Sequence, residues 1–205
     1  MIPIYWKQAT QELTERDEVI GNLILCFNDA ALDSRDNAFV TLARSIVGQQ
    51  ISVKAAESVW QKIIVTLPEI TPRTIHLAEE IELRSCGLSH RKISYLQELS
   101  QHFLDGALNE ADWKEMDDEA LIVQLTQIQG IGRWTAEMFL IFHMLRPDIL
   151  PLADIGLQRA ISRHYNANQP MDKSSMRILA KSWQPWRSVA TWYLWRSLDP
   201  LPVNY

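Results

Sequence analysis

Cysteine and glycine are scarce in this 205-residue chain, and basic residues are outnumbered by acidic ones. Its two cysteines, Cys26 and Cys86, cannot supply the four thiolates of an iron–sulfur cluster or of an all-cysteine zinc site. Lys and Arg number 20 against 25 Asp and Glu, so the formal net charge is −5 and no global basic field indicates a nucleic-acid partner. A small basic patch is still compatible with this balance.

Long hydrophobic runs are absent as well, because no apolar run reaches the roughly 18 residues that a membrane-spanning helix needs. The first residues, MIPIYWKQATQEL, lack the basic and apolar segments of a secretory signal. The two cysteines imply no disulfide framework, and the histidines show no metal-ligand spacing. We therefore expect a cytoplasmic protein without a membrane partner.

The shortage of glycine favours helix. Glycine contributes 7 of 205 residues, about half the usual share of roughly 7%. Apolar residues recur three and four positions apart along most of the chain, which predicts about ten helices, no strand and an all-α fold. In the first half of the chain, helices are predicted from Thr14 to Phe27, over 39–47, over 53–64 with Ser52 as the cap, after Thr71-Pro72 and from Ser89 to Gly106. In the second half, one helix begins at Asp117 or Asp118, one covers 133–145, one begins at Asp154, and two cover 174–184 and 187–198.

Two glycines one residue apart, Gly130 and Gly132, separate two of these predicted helices. Glycine lets the backbone turn with positive φ and leaves amide N–H groups unobstructed. Because a helix follows from Arg133, these N–H groups and the helix N-terminus form an anion site suited to a phosphate. A site made of fixed dipoles needs few lysines, which reconciles DNA binding with the negative net charge. The glycines alone fit a plain corner between packed helices equally well.

Several motifs, in their order along the chain, resemble one family. The hairpin has the pattern Leu125-x-x-Ile128-x-Gly130-Ile131-Gly132-x-x-Thr135-Ala136, and Asp154 follows Gly132 by 22 residues, with Leu157 and Arg159 behind it. Four sequence segments, one of which overlaps the hairpin, match as well: GQQIS (48–52), GLSHRK (87–92), GIGRWTAEMF (130–139) and PWRSVATWYLW (185–195). Together they resemble the helix–hairpin–helix (HhH-GPD) DNA glycosylase superfamily, and within it the short form of 3-methyladenine DNA glycosylase II, which lacks the N-terminal β-lobe of some members.

This resemblance implies a two-lobed helical fold with the active-site cleft between the lobes. We expect residues 36–147 to form a central lobe with the helix–hairpin–helix at about 121–145, and residues 1–35 together with 148–205 to form the lobe that carries the catalytic Asp154. The implied reaction removes alkylated purines, 3-methyladenine first, from double-stranded DNA and leaves an abasic site. We expect a monomer that works at the bacterial nucleoid without an iron–sulfur cluster or other cofactor.

Asp154 is the candidate for the catalytic carboxylate. Cleavage of an N-glycosidic bond builds positive charge on the deoxyribose, as in sugar hydrolysis. A carboxylate close to that charge stabilises it and can orient the attacking water, and the start of a helix favours the negative charge that this requires. A simple helix N-cap is the alternative role for Asp154. Asp148 is the rival carboxylate, but it lacks the downstream Leu-x-Arg and has the pattern of a loop cap.

The chain contains eight tryptophans, which can serve a base pocket or the core. An alkylated purine is cationic, and an aromatic face attracts a cation by about 0.5–2 kcal/mol. The resemblance places Trp134 and Trp195 in the wall of the flipped-base pocket, Met138 where some relatives carry tyrosine, and Gln49 beside the pocket. Large aromatics at helical spacing are more often core residues. We expect that role for three others, Trp183, Trp186 and Trp192.

Trp134 also argues against lyase activity. Bifunctional relatives carry a lysine at this point of the hairpin and form a Schiff base with its amine. Tryptophan has no nucleophilic amine, so the resemblance implies a monofunctional enzyme that uses water.

The remaining candidates concern contacts with DNA and with an ion. By resemblance, Gln50 is the wedge that fills the gap left by the extruded base, although Gln49 and Gln50 also fit a polar turn. The basic pair Arg91-Lys92 fits either a phosphate contact or an exposed helix start. The residues expected to bind the DNA backbone are Gly130, Ile131, Gly132 and Arg133. The backbone carbonyls that resemble those holding a sodium or potassium ion in this superfamily belong to Thr126, Ile128 and Ile131.

Three other functions stay open at this point. The chain could be a non-catalytic helix–hairpin–helix module that binds damaged DNA, a bifunctional glycosylase/AP lyase, or a helical adaptor for other proteins. The release of a base, covalent trapping on DNA and salt-dependent DNA binding distinguish these functions from one another.

Overall fold

Helices and loops make up the part of the chain that the structure, a computed structural model, describes: residues 2–28, 31–33 and 37–198. The all-α prediction is confirmed for these residues. Their thirteen helices are α1 (Trp6–Arg16), α2 (Glu18–Cys26), α3 (Ala38–Gly48), α4 (Val53–Thr66), α5 (Pro72–Leu77), α6 (Glu80–Ser85), α7 (His90–Leu104), α8 (Glu110–Trp113), α9 (Asp118–Leu125), α10 (Arg133–Phe142), α11 (Ile155–Tyr165), α12 (Lys173–Leu179) and α13 (Arg187–Arg196). Within this part of the chain, no helix combines the length and hydrophobicity that crossing a membrane requires.

The described residues divide into two compact units. The central unit consists of residues 37–139, and the terminal unit consists of residues 2–28, 31–33 and 140–198. One boundary therefore lies inside α10, before the expected boundary at 147, whereas the expected boundary between 35 and 36 lies outside the described residues. The segment after 139 belongs to the terminal unit because its carbonyls bind side chains there. Tyr5 Oη donates to Leu145 O at 2.7 Å, and Ser188 Oγ donates to Arg146 O at 2.6 Å.

Asp17 corrects the prediction for the N-terminal helices. We expected one helix from Thr14 onward, but α1 ends at Arg16, with Thr14 in its last turn, and α2 begins at Glu18. Asp17 has an extended backbone, and its Oδ1 accepts the Ile20 N–H at 3.0 Å. It therefore caps α2 and separates two helices.

Three helices were not predicted from the sequence: α1, α6 and α8. The first is mostly polar and buries only Trp6, Ala9 and Leu13, whose spacing of three and four was the signal that could have found it. The other two have six and four residues, which is too short for a repeating pattern. Three helices also end earlier than predicted: α10 at Phe142, α12 at Leu179 and α13 at Arg196.

Each unit has an aromatic cluster in its core. In the central unit, edge-to-face contacts with centroids 5.4 to 6.1 Å apart join four rings in the order Phe39, Phe103, Trp113 and Phe139. In the terminal unit, Trp192 of α13 contacts the rings of Trp6 and Tyr193 edge-to-face. The three tryptophans predicted to be core residues, Trp183, Trp186 and Trp192, are buried. The first cluster fixes α10 through Phe139 and the second fixes α13 through Trp192. Both helices carry candidate site residues.

Asp17 also joins distant parts of the terminal unit. Its Oδ1 accepts the Tyr165 hydroxyl at 2.8 Å, and its Oδ2 accepts Trp183 Nε1 at 2.8 Å. Burial, and after it the charge of Asp17, raises the pKa of Tyr165, so this hydroxyl keeps its proton and stays a donor.

Replacing Asp17 by alanine is expected to lower the free energy of unfolding by about 2–4 kcal/mol, because it removes a helix cap and leaves the donors of the buried Trp183 and the half-buried Tyr165 without their acceptor. Urea denaturation at 25 °C measures this loss. Asp172→Ala is the matched control, because Asp172 caps α12 from an exposed position and receives only Ser174 and Ser175 groups. An equal loss in both variants would contradict the joining role of Asp17.

Candidate active site

Asp154 lies at the start of α11 and is buried, with 7% of its surface exposed. Its N–H donates to Pro151 O at 2.9 Å, which closes the turn that leads into the helix. Its Oδ1 accepts the Leu157 N–H at 2.6 Å. Asp154 is therefore the N-cap of α11, where the helix dipole favours a negative charge.

A second donor reaches the same carboxylate oxygen from α13. Trp195 Nε1 donates to Asp154 Oδ1 at 2.7 Å. The indole is 5% exposed, and one of its faces stacks on Phe142 with a centroid distance of 5.7 Å and an interplanar angle of 14°. The structure thus connects two predicted site residues, Asp154 and Trp195, by a direct hydrogen bond.

Gly156 packs against this pair. A Cβ atom at residue 156 would lie 3.0 Å from Asp154 Oδ1, 3.2 Å from Trp195 Cδ1 and 3.3 Å from Trp195 Nε1. Sequence reasoning missed this residue. The signal that could have found it was a glycine in the first turn of a predicted helix, where glycine costs about 1 kcal/mol relative to alanine.

A buried carboxylate with two N–H donors has a fixed orientation and a strong local field. Hydrogen bonds from N–H groups to a carboxylate are charge-assisted, and charges interact more strongly in a water-poor surrounding than at the surface. Such a group stabilises positive charge that develops close to it during a reaction. The site around Asp154 is therefore suited to a cationic intermediate of sugar chemistry.

Asp148, the rival carboxylate, has a different partner. Arg187 Nε donates to Asp148 Oδ1 at 2.6 Å, and Arg187 Nη2 donates to Oδ2 at 2.9 Å and to the Asp148 carbonyl at 3.0 Å. This two-pronged ion pair ties the loop before α11 to the start of α13. Its charge is balanced by arginine, which favours a structural role.

The hairpin lies in the central unit between α9 and α10. Gly130 has a φ of +85°, and a Cβ atom there would lie 2.3 Å from the Tyr95 ring. Glycine is therefore required at 130 both for its backbone conformation and for the close approach of Tyr95. The turn is held by the Ile131 N–H, which donates to Ile128 O at 3.0 Å, and by the Gln129 N–H, which donates to Glu98 Oε1 at 3.0 Å.

Gly132 lies on the side of the hairpin that has no close neighbouring atoms. A Cβ atom at 132 would meet nothing within 4 Å. Among the described residues, neither the Gly132 N–H nor the Arg133 N–H has a hydrogen-bond acceptor. Two amides at the start of α10 are thus available to an anion, and the predicted phosphate contact stays a prediction.

A groove of about 480 Å³ adjoins the hairpin. It brings together the predicted wedge, the basic pair and the hairpin. The lining residues are Gln49, Gln50, Ser89, Arg91, Lys92, Tyr95 and 126–132. Arg91 Nε donates to the Tyr95 hydroxyl, and its guanidinium lies 5.5 Å from the centroid of that ring.

The turn that contains Gln50 is held from two sides. Lys92 Nζ donates to Val47 O at 2.7 Å, and Gln49 Nε2 donates to Gly130 O at 2.6 Å. Burial lowers the pKa of Lys92. Gln50 itself is exposed and has a φ of +62°, an uncommon conformation for a residue with a side chain. The structure therefore places Gln49 on the hairpin and leaves the Gln50 side chain in solvent.

Arg133 carries a charge that is already balanced within the protein. Its Nη1 and Nη2 donate to the two carboxylate oxygens of Glu119 at 2.6 Å each, and its Nε donates to Glu137 Oε1 at 3.0 Å. These contacts, the hydrogen bond to Glu119 first, raise the pKa of Arg133. A DNA contact at Arg133 is therefore better served by its backbone N–H than by its guanidinium.

The other pocket candidates lie on α10. Trp134 is 36% exposed, and Met138, one turn later, is 4% exposed. Both belong to the central unit, whereas Trp195 belongs to the terminal unit. A base pocket shared by these side chains stays a prediction.

The three carbonyls expected to hold a monovalent cation belong to residues that line the hairpin groove. Ile128 O accepts the Ile131 N–H, so one of its lone pairs serves the turn itself. The sodium or potassium ion stays a prediction. In residues 2–28, 31–33 and 37–198, no three His, Cys, Asp or Glu side chains group as metal ligands.

Residues 43–185 match the family model described as "HhH-GPD superfamily base excision DNA repair protein". This segment contains both the hairpin and Asp154, and it covers more than half of the chain. The chain belongs to the HhH-GPD superfamily. The predicted family is thereby confirmed.

Three relatives show how far the likeness to HhH-GPD proteins extends. The Bacillus subtilis protein YfjP is 33% identical over 166 residues, which cover 77% of this chain but only 58% of YfjP. The crystal structure of a DNA-3-methyladenine glycosidase from Bacillus halodurans matches with a TM-score of 0.86 and 30% identity, over 93% of this chain and 89% of that one. The Schizosaccharomyces pombe 3-methyladenine DNA glycosylase Mag1, in complex with abasic DNA, matches with a TM-score of 0.81 and 27% identity, over 97% and 100% of the two chains. The predicted helix–hairpin–helix glycosylase fold is confirmed.

Proposed function

We propose that the protein is a DNA glycosylase that hydrolyses the N-glycosidic bond of alkylated purines, 3-methyladenine first, in double-stranded DNA. The observation that carries this proposal is the buried Asp154 carboxylate, fixed by N–H donors from Leu157 and Trp195, in an HhH-GPD chain. The names of the Bacillus halodurans and Schizosaccharomyces pombe relatives support the substrate class.

In the proposed reaction, the bond between C1′ and the base nitrogen breaks, and its electron pair leaves with the base. Alkylation at N3 or N7 makes the purine cationic, so it departs as a neutral molecule without needing an acid. Positive charge develops on the deoxyribose, and the Asp154 carboxylate stabilises it. Water then adds to C1′ and loses a proton to solvent, which leaves an abasic site.

Double-stranded DNA is the proposed partner of the hairpin groove. The two amides at the start of α10 suit a phosphate, and the complex of the Schizosaccharomyces pombe relative with abasic DNA supports this partner. Gln50 is the proposed wedge, because its turn is held by Lys92 and Gln49 while its own side chain is exposed. We propose that a monomer acts.

The enzyme is expected to form no covalent adduct with DNA. Trp134 stands where bifunctional relatives carry the lysine that forms a Schiff base, so borohydride has no imine to reduce. The measurement is denaturing electrophoresis of a labelled methylated duplex after incubation with enzyme and borohydride. A slowly migrating protein–DNA band, or strand cleavage before alkali is added, would instead indicate a lyase.

The proposed function is tested by incubating methylated duplex DNA with the protein and separating the released bases by chromatography. We expect free 3-methyladenine and an intact strand with abasic sites. Salt-dependent binding without base release would indicate a non-catalytic DNA-binding module, and no salt-dependent binding would indicate an adaptor.

A further inference from the structure

We propose that Trp195 is a positioning residue, whose indole N–H holds the Asp154 carboxylate in the orientation that the reaction needs. This inference rests on the proposed function. It differs from the role that the family resemblance implies for Trp195, which is to stack on the flipped base.

The carboxylate is held by two donors that converge on one oxygen. The Leu157 N–H and the Trp195 Nε1–H both reach Asp154 Oδ1, at 2.6 and 2.7 Å. Two directional bonds to one oxygen fix the rotation of the carboxylate about its Cβ–Cγ bond. The position of the second oxygen, Oδ2, follows from that rotation.

The indole is itself held in place. One face of Trp195 stacks on Phe142, and the residue is 5% exposed. Because one face is covered and little surface is accessible, Trp195 has only a small area for stacking on a base. Its Nε1–H donates to Asp154.

Gly156 supplies a second, independent observation. Its missing Cβ leaves the space in which Asp154 Oδ1 and Trp195 Nε1 meet, since a Cβ atom there would lie 3.0 and 3.3 Å from these atoms. These distances are shorter than ordinary van der Waals contacts, so the Asp154–Trp195 bond depends on glycine at this position.

Two duplexes without a base separate positioning from base stacking. One carries a pyrrolidine ring, cationic at neutral pH, in place of a deoxyribose and its base, and the other carries a neutral tetrahydrofuran ring. The ratio of the two affinities measures how well Asp154 stabilises charge at the sugar. A side chain that only stacks on the base cannot change this ratio, because neither duplex contains a base at that site.

We expect Trp195→Phe to lower the affinity for the pyrrolidine duplex by about ten- to a hundredfold and to leave the tetrahydrofuran affinity unchanged. On a methylated duplex, kcat falls by a similar factor while KM stays the same. In an Asp154→Asn background, Trp195→Phe has no further effect, because the two residues act as one unit.

Two further variants guard against an effect on folding alone. Gly156→Ala keeps every aromatic ring, and we expect the same loss of pyrrolidine affinity from it. Trp192→Phe replaces a buried indole of the same helix, whose ring contacts Trp6 and Tyr193 instead of Asp154, and we expect it to leave both affinities unchanged. Thermal unfolding of each variant gives its stability.

The inference is overturned if Trp195→Phe and Gly156→Ala keep the wild-type preference for the pyrrolidine duplex, or if Trp195→Phe weakens only the binding of a methylated base. Failure of the proposed function gives a different result. In that case the wild-type protein itself shows no preference for the pyrrolidine duplex and releases no base.

Discussion

Replacing Asp154 by asparagine is expected to slow excision of 3-methyladenine by about 100- to 1,000-fold, the usual effect of removing one preorganised electrostatic group from an active site. Asparagine keeps a side-chain oxygen that can accept the Leu157 N–H and Trp195 Nε1–H, but it lacks the negative charge. We therefore expect the free energy of unfolding to change little while the rate of base excision falls. Single-turnover release of the base with enzyme in excess over methylated duplex measures the chemical step.

Asp148→Asn is the matched control for this prediction. Asp148 is the rival carboxylate of the same unit, and its charge is engaged by Arg187. We expect this variant to lose stability, because it weakens that ion pair, and to keep its excision rate within a few-fold. A fast Asp154→Asn enzyme beside a slow Asp148→Asn enzyme would reverse the assignment.

Replacing Gly130 by alanine is expected to lower the free energy of unfolding by about 2–4 kcal/mol and to abolish tight DNA binding. A side chain is disfavoured at a φ of +85°, and the new methyl group would lie 2.3 Å from the Tyr95 ring. Tyr95 or the hairpin must move, and with it the amides at the start of α10. Urea denaturation and the affinity for duplex DNA at fixed salt measure the two effects.

Variants at two other glycines separate the cost of the left-handed backbone from the cost of the contact with Tyr95. Gly106 has a φ of +73° with nothing within 4 Å of a Cβ atom, so Gly106→Ala reports the backbone cost alone. Gly132 has neither a left-handed φ nor a close neighbour, so Gly132→Ala should keep its stability and weaken only DNA binding, through a methyl group on the proposed phosphate side. If Gly130→Ala were as stable as the wild type, the close approach of the Tyr95 ring would not require glycine at residue 130.

Local chemistry allowed much of the fold to be predicted. The N-caps expected at Ser52, Thr71 and Asp154 each accept a backbone N–H from the first turn of the helix that follows, and Ser89, where a helix start was expected, does the same. Capping depends on residues within one turn of each other, and so does the glycine hairpin. Asp17 is the exception. Thr14 offered a competing helix start, and although the cap itself is the local bond from the Ile20 N–H, the same carboxylate also accepts Tyr165 and Trp183 from far along the chain.

The candidate site was predicted only in part, because its geometry depends on long-range packing. Motif position indicated Asp154 and Trp195 separately, but periodicity cannot show that an indole N–H reaches a carboxylate 41 residues away. Likewise, the capture of the Gln129 N–H by Glu98 and of Val47 O by Lys92 depends on how α7 packs against its neighbours.

The distance between the Asp154 carboxylate and a bound cationic sugar mimic shows whether Asp154 stabilises charge on the deoxyribose. A crystal structure of the wild-type protein with a duplex that contains a pyrrolidine ring measures it. We predict that the ring nitrogen lies within about 4 Å of an Asp154 carboxylate oxygen, with Trp195 Nε1 still bonded to Oδ1. A ring bound out of reach of Asp154, with Asp148 or another carboxylate nearest to it, would show that Asp154 is not the catalytic carboxylate.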